Sequence, residues 1–368
     1  MLVTKQPVLR RFWYPVIPIQ ELANGPKAFQ LLGHPLVLWL DEQGNPCAAV
    51  DRCCHRSAKL SLGKVVRGNI ACAYHGWQFN AQGTCVEVPQ KGCTVSPNYK
   101  IDSYSCTERY GYAWVCLADE ALVGIPDIEE TRDPNYRSIP EFYETWKCAG
   151  LRVMENEFDL AHPAFVHQGT FGTEEHTTPD RMEFTETEWG LHVRGVLGVV
   201  NPELQQQNLK MDSVDTVRTL DMTWFMPFTV KLRIAYPNGR VHIIVNTMTP
   251  IDDSTSQMVQ FCVRNDTEAD TPTADAIAFD RAVTLEDKRI LESTDFDVPL
   301  SPNREQHIFT DKPGLIMRKK LAALLKAHGE VEQTRETAFF IDERLRPEEW
   351  SPPTKTTSIG LTHRNLKP

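Results

Sequence analysis

The sequence predicts an α+β protein of two domains, in which an all-β N-terminal domain precedes a larger domain of antiparallel strands and helices. Short apolar runs separated by turn residues fill 12–119, as in a small β domain. A stretch rich in Pro and charged residues, without periodicity, follows at 122–143. Helical and alternating patterns then resume. We therefore divide the chain into a domain at 1–121, a linker at 122–143 and a domain at 144–368.

The elements of each domain follow from local patterns. In the first domain, Leu36–Leu40 is an apolar strand, and Asp41–Asn45 after it has the composition of a turn. In the second, Pro237–Gly239 contains Asn-Gly, which tolerates the positive φ of a hairpin turn. Arg318 and its two lysine neighbours are expected to form a solvated face of the last helix. The second domain is expected to contain a helix at 151–161, strands at 230–236, 241–247 and 258–264, and helices at 275–293 and 315–327.

Charge and hydropathy exclude several classes of protein. The formal net charge of −10 argues against nucleic-acid binding, which usually needs a basic face. Apolar runs stay below the roughly 18–20 residues of a membrane span, and the first residues lack the apolar region of a secretory signal. A cytoplasmic location is therefore expected. In that reducing compartment, the ten cysteines indicate metal binding more than disulfides.

A first candidate metal site combines two mixed Cys/His pairs. Cys53 and His55 form C-x-H, and Cys72 and His75 form C-x-x-H, with sixteen residues between the pairs. Two thiolates and two imidazoles are what a [2Fe-2S] cluster needs when histidines replace two cysteines on one iron. Zinc is the rival, since it also accepts Cys₂His₂ ligands. Zinc fingers, however, usually place both cysteines before both histidines, whereas each loop here is mixed.

A second candidate site lies in a segment of the form N-x-x-D-x-x-H-x-x-x-x-H, which places Asn156, Asp159, His162 and His167 close in sequence. On an ideal helix, Asp159 and His162 would share a face, whereas the two histidines would diverge by roughly 140°. Pro163 disfavours helical geometry at the residue before it, so the backbone is expected to bend there. Two histidines with one carboxylate leave one side of an iron open for oxygen.

The carboxylate of that second site has two candidates. Asp287 shares an apolar helical face with Val283, Ile290 and Leu291, and a carboxylate on such a face needs a cation. Glu286 is the nearest competitor. Periodicity alone favours Asp287 only modestly.

The first motif carries a family resemblance. Cys53, His55, Cys72 and His75, followed by Gly-Trp, resemble the signature of Rieske domains in ring-hydroxylating and demethylating oxygenases. The extra cysteine that respiratory Rieske proteins have in each loop is absent from the positions after the histidines. The resemblance implies a Rieske-type [2Fe-2S] cluster. Cys54 stands where the family commonly has proline, and we interpret it as a bystander, with a role as an alternative thiolate ligand left open.

The resemblance extends to the second site. The segment E-D-K-x-I-L-E resembles the family segment whose aspartate, here Asp287, completes a mononuclear Fe(II) site with His162 and His167. It also implies that Asp159 links His162 of one subunit to His75 of its neighbour, and hence a homotrimer. Asn156 matches a family position near the iron, and helix capping is the alternative.

In function, the resemblance implies the oxygenase component of a Rieske system with a helix-grip (START-like) catalytic domain and a curved antiparallel sheet. Such an enzyme uses dioxygen and external electrons to hydroxylate or demethylate a small aromatic or polycyclic substrate. The chain shows no glycine-rich dinucleotide fingerprint, so a ferredoxin or an NAD(P)H-dependent reductase would supply the electrons. Its length resembles single-subunit-type oxygenases such as the O-demethylases and the pheophorbide or chlorophyllide oxygenase-like group. The alternatives are an electron-transfer or redox-sensing protein and a module that binds hydrophobic ligands.

Overall fold

The computed structural model describes residues 1–336 apart from 202, 204–205, 208–209 and 211–213. Three antiparallel sheets and several helices build this part of the chain. Two of the sheets lie within residues 14–116, and the third is formed by residues 137–264. The predicted α+β class is therefore confirmed.

The first sheet has six strands and contains a turn predicted from the sequence. Its strands are β1 (Tyr14–Pro18), β2 (Lys27–Leu31), β3 (His34–Leu40), β4 (Pro46–Val50), β9 (Ser103–Arg109) and β10 (Tyr112–Cys116), in the order β1-β10-β9-β4-β3-β2. Between β3 and β4, the carboxylate of Asp41 accepts hydrogen bonds from the backbone N–H groups of Gln43 and Asn45 at 2.9 and 2.8 Å. Gly44 has a φ of +83°, which glycine adopts without a steric penalty. These contacts close the turn locally.

A small second sheet supports the two Cys/His loops. Its strands are β5 (Lys64–Val66), β6 (Asn69–Ala71), β7 (Gln78–Phe79) and β8 (Cys85–Glu87), paired in chain order. Trp39 of β3, Ile70 of β6 and Phe79 of β7 are fully buried in one apolar cluster that also contains Cys53 and Cys72. Burial of this cluster therefore fixes both loops against the same core.

The third sheet has seven strands and contains the predicted meander. Its strands are β11 (Arg137–Trp146), β12 (Arg181–Thr187), β13 (Gly190–Val200), β14 (Asp215–Phe225), β15 (Thr229–Ala235), β16 (Val241–Pro250) and β17 (Ser256–Arg264), in the order β11-β17-β16-β15-β14-β13-β12. The hairpin expected at Pro237–Gly239 joins β15 to β16, with Gly239 at a φ of +83°. Strand β11 begins inside the segment predicted as a linker, because residues 137–146 pair with β17. The domain limits themselves stay a prediction.

The helices follow the predicted positions with one difference that affects the second candidate site. The α-helices are α1 (Ile19–Leu22), α2 (Gly150–Glu157), α3 (Pro163–Val166), α4 (Thr273–Leu291) and α5 (Lys312–Ala327). Short 3₁₀ turns span Val3–Lys5, Pro7–Arg11, Leu60–Leu62, Glu129–Arg132, Pro302–Arg304 and Phe309–Asp311. Helix α2 ends four residues earlier than expected, so Asp159 and His162 lie in the α2–α3 loop and not on one helical face. The carboxylate of Asp159 accepts the N–H of Ala161 at 2.8 Å, an Asx-type bond that competes with helix continuation.

The expectation of a solvated face at Arg318 is wrong. Its side chain is 3% exposed, because α5 turns it toward α2. It forms a close ion pair with Glu155 of α2 and another, at 2.5 Å, with Glu305. Lys319, the next residue, is exposed. Every helix among the described residues is too short or too polar to span a lipid bilayer.

Candidate metal centres and substrate cavity

The two Cys/His loops share one backbone geometry. In each, the N–H of the cysteine donates to the carbonyl five residues later, at 2.8 Å from Cys53 and 2.9 Å from Cys72. The carbonyl of each cysteine accepts the N–H four residues later, at 2.9 Å in both loops. That fourth residue, Ser57 or Gly76, has a positive φ of 59° or 75°. Each loop is therefore a tight turn that holds its cysteine inward.

The imidazoles of the two loops face each other. The ring centroids of His55 and His75 are 4.6 Å apart, and Trp77 stacks on His55 at 4.5 Å with parallel planes. Nδ1 of His55 is buried and has no hydrogen-bond partner. A buried imidazole nitrogen is normally hydrogen-bonded, so this free lone pair is what a metal ligand would present.

The thiols complete the set. All ten cysteines are free. Burial, together with the neighbouring Cys72 thiol, raises the pKa of Cys53 to about 11, so its thiolate needs a compensating cation. Among the described residues, two groups of at least three potential ligands have all their ligand atoms within 4.8 Å, and neither group includes any residue of these loops. A single tetrahedral zinc would require that closeness, whereas two irons bound separately by thiolates and imidazoles would not. The side chain of Cys54 is exposed.

The structure brings His162, His167 and Asp287 together. Nε2 of His162 lies 3.2 Å from Nε2 of His167. Oδ1 of Asp287 lies 3.6 Å from the first of these nitrogens and 3.4 Å from the second. Ligand atoms held about 2.1 Å from one ion, at roughly right angles, are about 3 Å apart. The three atoms are thus spaced as ligands on one side of a single metal ion.

Outer hydrogen bonds turn both imidazoles toward one point. The carbonyl of Asp159 accepts from Nδ1 of His162 at 2.7 Å, and the carboxylate of Glu286 lies 3.0 Å from Nδ1 of His167. With Nδ1–H engaged, each neutral ring keeps an Nε2 lone pair for a metal. Glu286, the competitor for the third ligand, therefore lies behind His167 and not beside Asp287 at the centre.

Burial sets the charge of this site. It raises the pKa of Asp287 well above its usual range, and the nearby Glu157 carboxylate adds to the effect. Burial, with a contribution from the neighbouring His167, lowers the pKa of His162 to about 3. Burial, with a contribution from the Arg218 guanidinium, lowers the pKa of His167 to about 4. Both rings are neutral at pH 7, as metal ligands must be. The buried carboxylate is costly without a cation, so the donor set fits a divalent metal.

A cavity with an empty volume of about 950 Å³, part of which is open to solvent, lies at this triad. Helices α2 and α4 and strands β14 to β17 contribute its walls. Apolar side chains line much of it, among them Leu220, Met222 and Ile244. A mostly apolar chamber that ends at a metal-binding triad is suited to hold a small organic molecule beside the metal.

Sequence reasoning missed the polar residues of the cavity. Arg218 of β14, His242 of β16 and Asp280 of α4 line it, and each is 3% exposed. The Asp280 carboxylate lies 3.0 Å from Nε2 of His242. The one signal in the sequence was a charged residue at strand positions that continue as apolar ones, since Arg218 is followed by Leu220 and Met222 on the same face.

Comparison with known families decides the identity of the fold. Residues 12–105 match the Rieske [2Fe-2S] domain family, and residues 146–327 match the vanillate O-demethylase oxygenase C-terminal domain family. The chain is 32% identical over 343 residues to methylxanthine N1-demethylase NdmA of Pseudomonas putida, covering 90% of this chain and 93% of that protein. The chain belongs to the Rieske non-haem iron oxygenases. The zinc and ligand-module alternatives do not apply to such a protein.

Solved Rieske oxygenases share the whole architecture. The structure of NdmA from P. putida CBB5 with caffeine superposes with a TM-score of 0.76 at 30% identity, covering 89% of this chain and 94% of that one. Dicamba monooxygenase bound to dicamba gives a TM-score of 0.74 at 22% identity, which supports the fold alone. In sequence, dicamba O-demethylase of Stenotrophomonas maltophilia is 32% identical over 178 residues, about half of each chain.

As a Rieske oxygenase, the protein is an oxidoreductase and not a simple electron carrier. It uses a [2Fe-2S] cluster and a mononuclear non-haem iron. It acts on a small-molecule substrate with dioxygen and receives electrons from a reductase or a ferredoxin.

Proposed function

We propose that this chain is the oxygenase component of a demethylase, with both metal centres built by the residues described above. Cys53, His55, Cys72 and His75 bind the [2Fe-2S] cluster, and His162, His167 and Asp287 bind the Fe(II). The observation that carries the proposal is the position of the triad at a large cavity whose exposed wall is mostly apolar.

The proposed substrate is a small aromatic or heterocyclic compound that carries an N- or O-methyl group. Support comes from the relatives named as a methylxanthine N1-demethylase and a dicamba O-demethylase, and from the cavity volume. When bound, the two metal centres supply reductive activation of dioxygen for insertion into a C–H bond. A methyl group hydroxylated on carbon next to nitrogen or oxygen then leaves as formaldehyde.

The protein groups around the triad position its ligands. The amide of Asn156 donates to Oδ1 of Asp287 at 3.0 Å and so orients that carboxylate. Glu286 holds His167 and also accepts the hydroxyl of Thr170 at 2.8 Å. We propose Asn156 as a positioning residue of the iron site on this ground.

Electron transfer is proposed to run between subunits of a homotrimer, through Asp159. Its side chain is 29% exposed and lies beside His162, where a neighbouring subunit can reach it. The cluster side is also open, because Tyr74, which packs on His75, is 64% exposed. A separate ferredoxin or NAD(P)H-dependent reductase is proposed as the electron donor, and a cytoplasmic location remains part of the proposal.

Iron content and product formation test this function. Protein purified without oxygen should contain about three irons per chain. With a surrogate reductase, it should release formaldehyde from members of a panel of N-methyl heterocycles and methoxyarenes, with products identified by mass spectrometry. His162→Ala should lose one of the three irons and all product while keeping the visible absorption of the cluster.

His328→Ala, a change at an exposed histidine, is the matched control and should behave as wild type. Zinc in place of iron, or turnover that survives His162→Ala, would contradict the proposal.

A further inference from the structure

Arg218 is a buried cation in the wall of the substrate cavity. It lies on β14, is 3% exposed and lines the same cavity as the metal triad. Burying a guanidinium removes hydration that an apolar wall cannot replace, so buried arginines are normally paired with carboxylates. A buried arginine without a carboxylate partner in a binding cavity therefore indicates that the ligand carries a negative charge.

Contacts with protein leave much of this guanidinium unsatisfied. Its carbon lies 4.4 Å from the ring centre of Phe171 and 5.5 Å from that of Tyr236. One nitrogen, Nη2, reaches the amide oxygen of Asn201 at 3.5 Å, the outer limit of a hydrogen bond. Nε is buried and has no hydrogen-bond partner in the described part of the chain. Among the described residues, Arg218 has no carboxylate within 4.0 Å.

The acidic side chains that line the cavity are bonded to other groups. Asp280 lies 3.0 Å from His242, and Asp287 belongs to the metal triad. Glu157 accepts a hydrogen bond from Asn246 at 2.6 Å, and Asp159 accepts the N–H of Ala161 at 2.8 Å. Burial lowers the pKa of Arg218, while Tyr236 and the charge of Asp280 act in the opposite direction without an ion pair among the described residues. The guanidinium therefore keeps N–H groups for a ligand that enters the cavity.

The position of Arg218 relative to the metal site limits the shape of that ligand. The ring of Phe171 stacks on the metal-side imidazole of His167 at 4.8 Å and also lies under the guanidinium at 4.4 Å. One aromatic side chain therefore borders both the triad and Arg218. A ligand that reaches both would carry its anionic group and its oxidised carbon on a single ring system.

We propose that Arg218 binds a carboxylate or sulfonate group of the substrate and so selects anionic methylated aromatic compounds. This inference rests on the proposed function, because it concerns the substrate of the same site. A guanidinium presents two parallel N–H groups to such an oxyanion, and the aromatic faces beside it hold its plane. Neutral compounds of the same shape would leave the buried cation unpaired.

Ligand binding by the iron-loaded protein tests directly whether anionic methylated aromatic compounds are preferred. Calorimetry should compare the 3- and 4-methoxybenzoates and 4-methoxybenzenesulfonate with the neutral 3- and 4-methoxybenzyl alcohols. We expect at least one anion to bind wild-type protein more tightly than every neutral compound. Arg218→Gln should weaken that binding by about 100-fold and leave the alcohols within about threefold, because it removes a buried charge pair. Arg218→Lys should recover only part of the loss, since lysine lacks the planar fork.

Arg194→Gln is the matched control, since this exposed arginine on β13 carries the same charge outside the cavity. It should bind the anions as wild type does. The inference is overturned if no anion binds better than the alcohols, or if Arg218→Gln weakens both classes equally. Formaldehyde release from neutral methylated compounds by the wild type would then show that the protein is a demethylase in which Arg218 does not select the substrate. Absence of the third iron together with absence of turnover would instead reject the proposed function.

Discussion

Nδ2 of Asn156 donates a 3.0 Å hydrogen bond to Oδ1 of Asp287, the same oxygen that lies 3.6 and 3.4 Å from the two histidine Nε2 atoms. This bond joins the end of α2 to the last turns of α4 and orients the carboxylate oxygen that lies nearest the histidines. Its acceptor is a side chain of another helix, whereas a helix cap would bond to the backbone of its own helix.

Removal of this amide should loosen the iron and spare the cluster. For Asn156→Ala we expect the affinity for the mononuclear iron to fall about 10- to 100-fold, the usual effect of losing an outer-shell partner. Iron titration of the metal-depleted site measures this, with the cluster absorption as an internal reference. Asn303→Ala changes an exposed asparagine and should have no effect. Unchanged iron affinity in Asn156→Ala would show that the bond is incidental.

The carboxylate behind His167 should matter as the hydrogen-bond acceptor that orients the ring. In Glu286→Ala the ring loses its 3.0 Å partner, and we expect kcat to fall about 10- to 100-fold. Glu286→Gln keeps an oxygen acceptor and should retain intermediate activity. Steady-state kinetics with iron content determined in parallel checks the order, for which Glu175→Gln at an exposed site is the control. Equal activity of the alanine and glutamine variants would refute a positioning role.

Glu157 should make the stability of the iron-depleted protein depend on pH. Burial raises its pKa to about 7, above the ordinary value of 4.5 that applies to the unfolded chain. Between these two values the folded protein binds more protons than the unfolded one, so stability should fall as the pH rises through this window. Glu157→Gln should reduce that slope to the part that Asp287 contributes, and raise the free energy of unfolding at pH 8 by about 1–3 kcal/mol. Urea denaturation at pH 5 and pH 8 provides the measurement, and identical slopes in the two proteins would contradict it.

The buried ion pair between α5 and α2 should contribute strongly to stability. Arg318→Met removes one of the two arginines that Glu155 and Glu305 share and leaves Arg152 in place, so we expect a loss of about 2 kcal/mol in the free energy of unfolding. Lys319→Met, on the exposed side of the same helix, should change it by less than about 0.5 kcal/mol. Chemical denaturation compares the two. Similar values for both variants would mean that the pair is dispensable.

The proposed route through Asp159 predicts a defect in electron transfer without a loss of metal. Asp159→Asn should keep about three irons per chain and slow turnover by at least tenfold, because its carboxylate would connect the cluster of one subunit to the iron of the next. Sedimentation should report a mass three times that of one chain for both proteins. Asp119→Asn, at an exposed residue, serves as the control. A monomeric protein with full turnover would exclude this route.

The sequence by itself determined the features that depend on short spacing. The two Cys/His loops, the Asp41–Asn45 turn and the hairpin at Pro237–Gly239 are each closed by bonds within a few residues. Such geometry depends on local φ and on nearby donors and acceptors, so residue identity suffices to predict it. The α+β class and the family followed from the same local signals.

Tertiary structure decided which side chains share a site. The apolar face that favoured Asp287 over Glu286 is not what selects it, since Ile290 on that face is 42% exposed. The orientation of α4 against the α2–α3 loop places one carboxylate beside the histidines and the other behind them. Burial of Arg218 and Arg318 depends in the same way on parts of the chain outside their own elements, such as Phe171 for the first and Glu155 for the second. A local pattern holds no information about which face of an element will be covered by so distant a partner, so only the folded chain determines it.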